Sequence, residues 1–128
     1  MGDRSNLYFK NGDHGVGVYG HWAGQGMAEA AMAVLQNKGF LARLGDSSYA
    51  TRIGVQTVLD TLGVSAKDET GCGLWTSETG PDDNEYRFLV IDVQSGRVFV
   101  TDDWKAPPPS DLIEAPTAEK IAAAMIGN

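Results

Sequence analysis

Apolar positions recur along this chain with two different periods, and the points where one gives way to the other outline its elements. Leu7-Tyr8-Phe9 is a short β-prone run. After Asn11-Gly12 and Asp13, the residues Val16, Val18, Gly20 and Trp22 alternate with Gly17, Tyr19 and His21. Alternation of this kind reads as strand, and Asn-Gly between two such runs reads as a hairpin with a type I′ turn. Strands are predicted over 5–10 and 15–22. The glycines at 15, 17 and 20 weaken the second strand and admit another backbone or a ligand close to it.

The period then lengthens. Met27, Ala30, Ala31, Val34 and Leu35 form one apolar stripe and predict a helix over 26–38, with Asn37-Lys38-Gly39 as its stop. A second helix is predicted from about 47 to 62, with Asp46 or Ser47 as cap and Val55, Val58, Leu59 and Leu62 as its inner stripe. Gly54 inside it costs about 1 kcal/mol relative to Ala, which points to close packing there. Three more strands are predicted, over Gly73–Thr76, Tyr86–Val93 and Arg97–Thr101. Tyr86–Val93 is the most hydrophobic run and suits a central strand. Gln94-Ser95-Gly96 turns the chain between the last two. Ala106-Pro107-Pro108-Pro109 stops regular structure, and Ile121, Ala122 and Met125 share one face of a last helix over 118–126.

The predicted order ββ-αα-βββ-α makes the chain α+β. It implies a mainly antiparallel sheet of about five strands with the helical pair on one face. One domain is expected over 1–105, a Pro-rich linker over 106–116 and a C-terminal helix over 117–128. That helix either docks on the body or exchanges with a partner.

Charge adds an asymmetry. The chain has 128 residues and a formal net charge of −7. Basic and acidic residues cancel over 1–64, so the whole excess falls in the second half. Such acidity argues against general nucleic-acid binding, because phosphate backbones demand a positive surface. A meander would gather Glu78, Asp82, Asp83 and Glu85 beside Asp102 and Asp103 into one negative end. The single cysteine excludes an internal disulfide and a four-cysteine zinc site. No apolar stretch approaches the ~20 residues that cross a bilayer. The expectation is a soluble cytoplasmic protein without membrane attachment and without a cofactor.

Four places could carry chemistry. Tyr19-Gly20-His21-Trp22-Ala23-Gly24-Gln25-Gly26 spans a strand-to-helix junction, where glycines let a ligand approach the backbone. His21 could exchange protons near neutral pH and Trp22 could stack on a ring. In the competing structural reading Trp22 is core and His21 a satisfied strand residue. Asp3-Arg4, with Arg52 on the second helix, could read a carboxylate or phosphate through an arginine fork, or form ordinary ion pairs. The acidic loop with Glu78, Asp82, Asp83, Asn84 and Glu85 has oxygen ligands for a hard cation but lacks the EF-hand spacing, so a solvated loop fits better. Cys72 has negative neighbours in Asp68 and Glu69, which disfavour a thiolate if they lie close. His14, in the expected hairpin turn, shows no ligand spacing with His21.

The opening GDRSN, the VYGHWAGQG segment, YATRI, ETGCG, and DNEY followed by LVIDV resemble small proteins of bacteriophages and actinobacteria. These begin MGDR-N and carry Y-HW-G. The resemblance covers about residues 1–101 and leaves out the tail from Pro107. It brings no activity with it. It implies that a shared site would involve Asp3, Arg4, His21, Trp22, Arg52, Glu69, Asn84 and Glu85. Members usually carry an apolar or aromatic residue where Cys72 stands, which implies that the thiol is not catalytic.

The leading expectation is a non-catalytic binding protein, a phage-type accessory factor that engages a host protein or sequesters a small anionic ligand such as a nucleotide. The acidic half would suit a basic protein partner. Two alternatives stay open: a hydrolase using His21 as general base, and a homodimer or larger oligomer assembled through the last helix.

Overall fold

The computed structural model describes residues 3–105 and 111–127. The hairpin is β1 (Ser5–Asn11) and β2 (His14–Gly20). Its two-residue loop is Gly12-Asp13, since Asn11 pairs with His14. Only Gly12 takes a positive φ, +63°, so the type I′ turn does not form. A positive φ at the first central residue alone is the type II′ pattern, which Gly accepts without cost.

Helix α1 (Gly26–Leu35) ends with the last residue of its stripe, short of the predicted 26–38. Asn37 does not merely stop it. Its side chain accepts the Phe40 N–H and starts a short helix, α2 (Lys38–Ala42). Asparagine is a strong N-cap, and that was the readable signal of the missed element. Helix α3 (Ser47–Thr61) follows. Asp46 holds its cap position without a side-chain bond to the helix and pairs with Arg43 instead. Strands β3 (Cys72–Thr76), β4 (Phe88–Asp92) and β5 (Val98–Thr101) lie within the predicted runs or one residue beyond them. A two-residue strand, β6 (Asp111–Leu112), pairs with β5 inside the stretch expected to be linker. Helix α4 (Ala118–Ile126) matches its prediction, and Thr117 caps it by accepting the Lys120 N–H. The Ala106-Pro107-Pro108-Pro109 stop lies outside the described residues.

The sheet departs from the expected antiparallel meander. It has six strands in the order β3-β2-β1-β4-β5-β6. β1 and β4 pair in parallel, Leu7 opposite Leu89, and the remaining pairs are antiparallel. A meander would have put β3 beside β4. Instead β3 joins the free edge of β2, and residues 77–87 carry the chain back over the sheet to β1. Side-chain alternation cannot report this, because it fixes which face a residue takes and not which strand lies next door.

Each face of β1 has its own core. Leu7 and Phe9 join Val18, Leu89, Ile91, Val98 and Val100 under α1, α3 and α4, where Ile121 and Met125 are fully buried. The helices thus form one layer on one face. On the opposite face Tyr8, Trp75, Val90 and Phe99 gather with Tyr19, Trp104 and Leu112. Tyr8 and Trp75 stack at 5.0 Å and 9° across the intervening strand, and Gly17 lies beneath them. A Cβ at Gly17 would overlap the Trp75 ring, so the glycine makes the stack possible.

Gly54 serves the other face in the same way. A Cβ there would run into the buried Phe9 ring. Ala favours a helix by about 1 kcal/mol over Gly, but overpacking costs about 1–3 kcal/mol. Gly54→Ala should therefore lower the urea midpoint despite its better helix propensity. Gly26→Ala, with open space around the new methyl, should leave the midpoint unchanged or raise it.

Candidate functional site

The strand-to-helix junction forms a site in this fold. Tyr19 lies near the end of β2 on the face away from the helices, packed against the aromatic cluster there. Its hydroxyl meets His21 Nδ1 at 2.7 Å. The His21 N–H donates to Gly71 O at 2.8 Å, which extends the β2–β3 ladder one residue past the strand. The histidine is thus fixed by backbone and side chain at once, and Nε2 keeps no partner among the described residues. Trp22 stands edge-on to the His21 ring, centroids 4.7 Å apart at 89°. It is 66% exposed, the most open of the large hydrophobic residues described. The core reading of Trp22 is thereby excluded.

Tyr19, His21 and Trp22 line a shallow pocket of about 400 Å³, closed by Thr70, Gly71, Cys72, Gly73 and Asp82. A smaller cavity of about 310 Å³ lies across Trp22, towards Gly26, Glu29 and the end of α3. The indole divides the two.

Asp3, Arg4, Asn84 and Glu85 assemble beside this pocket, as structural partners of one another. The Arg4 guanidinium pairs with Asp83 at 3.3 Å and with Glu85 at 3.3 Å. The Glu85 N–H donates back to Arg4 O at 2.9 Å. Desolvation works against the Arg4 charge, but Glu85, Tyr19 and Asp83 outweigh it and leave its pKa raised. Two carboxylates already occupy this arginine, so it is no open fork. Asp3 accepts the Gly24 N–H on its backbone oxygen at 2.6 Å and anchors the junction loop. The Asn84 side chain bonds Tyr86 O and Asn6.

Asn6 is the residue that sequence reasoning missed. It is fully buried. Its oxygen accepts the Trp75 indole N–H at 2.8 Å, and its amide donates to Asp83 O at 2.8 Å and to Asn84. Its signs were a polar residue at the head of a predicted strand and its place as the asparagine of the GDRSN segment.

Arg52 and Glu69 do not join this site. Arg52 bonds Gln56 and lines a separate cavity of about 670 Å³ between α3 and β3, with His14, Leu74 and Glu78. Glu69 is exposed and makes no bond among the described residues. The expected negative end is divided too. Glu78 follows the far end of β3, whereas the loop brings Asp83 and Glu85 back to Arg4. Arg87 bridges Asp102 and Asp111 at 3.1 and 2.6 Å. No three His, Cys, Asp or Glu residues gather as a metal site among the described residues. None of the described helices is long and apolar enough to cross a membrane.

Cys72 borders the pocket, but its side chain packs against the helix-side core. Burial raises its thiol pKa.

No family model matches the chain, and neither a curated protein nor a solved structure matches it at a significant level.

The Cys72 shift fixes a sign. The folded state holds the proton more tightly than the unfolded one, so this stability is present at neutral pH and lost as pH rises through the folded pKa. Native Cys72 should react with a disulfide reagent more slowly than the urea-unfolded chain at pH 8. The Cys72→Ala protein should lose less stability than the parent on going from pH 8 to 10. Equal rates folded and unfolded would contradict the burial.

Proposed function

We propose that this chain is a small non-catalytic binding protein whose pocket beside Trp22 takes a planar, nitrogen-bearing ring of the nucleobase type. The exposed indole carries the proposal. A tryptophan kept out of two available cores, edge-on to a histidine that is itself fixed, is a ready stacking surface. His21 Nε2 supplies one in-plane hydrogen bond and Asp82 accepts from an exocyclic amine. The ring, rather than a phosphate, is the recognised part, because Arg4 is already paired with Asp83 and Glu85. A sequestering or accessory role suits such a pocket.

Binding is favoured over hydrolysis by the surroundings of His21. Its only side-chain hydrogen bond among the described residues is to the Tyr19 phenol. The nearby thiol is turned into the helix-side core, and no carboxylate among the described residues hydrogen-bonds His21 to orient it as a base.

Titration with nucleosides and free bases, followed by calorimetry, should find a ligand that leaves unchanged on recovery. Trp22→Ala should weaken it at least tenfold and His21→Ala less. Equal affinity in Trp22→Ala, or conversion of the ligand by the parent protein, would sink the reading.

A further inference from the structure

Strand β3 is the outer edge of the sheet. Two bonds flanking its ladder, Ser77 N–H to Gly15 O at 3.1 Å and His21 N–H to Gly71 O at 2.8 Å, show which residues turn inward. Bonded positions alternate in an antiparallel pair, so Gly73 and Trp75 also face β2. Cys72, Leu74 and Thr76 direct their N–H and C=O away from the sheet. Thr76 satisfies its own pair locally: its N–H donates to Thr79 Oγ1 at 3.1 Å, and its oxygen accepts the Gly80 N–H at 2.9 Å. Cys72 and Leu74 keep four backbone groups without a partner among the described residues.

Edge strands are usually guarded by Lys, Pro, a bulge or a covering element. The sequence CGLWT has no charge and no proline. The Leu74 side chain is 60% exposed and lines the open cavity between α3 and β3.

We propose that β3 pairs antiparallel with β3 of a second copy about a two-fold axis at Gly73. In this register Cys72 of each copy faces Leu74 of the other, and the four free groups form four hydrogen bonds. Gly73 meets Gly73 in the non-bonded position, where side chains come closest, and offers nothing to clash. Leu74 of each copy is covered on the helix side.

Three observations select a second copy. The usable edge is only three residues long, so a partner must present two bonding positions two residues apart, and β3 does this by symmetry. The strand carries no charge to select a different chain. The last helix commits Ile121 and Met125 to the body and leaves Ile126 as its one exposed large hydrophobic residue, too little apolar surface to hold a second copy by itself. Two-fold pairing also closes the assembly, whereas a heterologous edge contact would not.

Sedimentation equilibrium of the full chain, in reducing buffer over a wide concentration range, tests this. The mass should rise towards twice 13.7 kDa, and the Cys72 and Leu74 amides should exchange more slowly as the dimer forms. Leu74→Lys should shift dissociation at least tenfold towards monomer. Leu74→Pro should do the same while keeping the native near-UV signal, since proline is tolerated where an edge N–H faces solvent. Trp22→Ala should leave the mass unchanged, which separates this inference from the ring-binding pocket. A parent protein at 13.7 kDa throughout, a mass that grows without stopping at two, or both Leu74 variants dimerising like the parent would overturn it.

Discussion

The open face of the sheet depends on one buried amide. Asn6 ties β1 to the Trp75 indole on one side and to residues 83 and 84 of the crossing loop on the other. Each bond satisfies a group that would otherwise be left without water, at a cost of about 1–3 kcal/mol. The loop it holds decides the topology, because the loop brings the chain from the β3 edge back to β1. Without that return β4 has no route to its parallel place. Arg4, Asp83 and Glu85 then close the same seam from outside, where exposed ion pairs add little stability but hold the loop whose Asp82 lines the pocket.

The elements were legible in the sequence wherever one face is apolar. The stripe of α1, the alternation of β2 and the YRFLVIDV run all report burial directly. Their order in space was not legible. The crossing of residues 77–87 depends on a hydrogen-bonded asparagine and on an aromatic stack over Gly17, and neither leaves a period in the sequence. Helix α2 and strand β6 were missed because five residues and two residues are too short for any periodicity.

The site was legible by residue type and not by role. Tyr19, His21 and Trp22 meet because they are near neighbours on one strand end. Arg4, Asn84 and Glu85 meet across about eighty positions, which a single sequence cannot foretell. Arg52 looked equivalent to Arg4, yet the helix carrying it lies on the opposite face of the sheet from the crossing loop. The difference between a free and a neutralised arginine is a matter of which carboxylates the topology returns to it.

The parallel β1–β4 pair has a consequence for how the molecule is made. Tyr8 and Val90 are partners separated by most of the chain, and pairings so distant slow folding. The hairpin can close as soon as residue 20 is synthesised, but its β1 side stays unpaired until β4 exists. During that interval a nascent chain displays Asn6, Tyr8 and Lys10 along a bare edge. Lys10, nearly buried in the finished protein, then stands exposed as a charge that discourages wrong partners. A lysine held at 8% exposure over the Tyr8 ring in the finished sheet is thus an open charge for as long as that edge is bare.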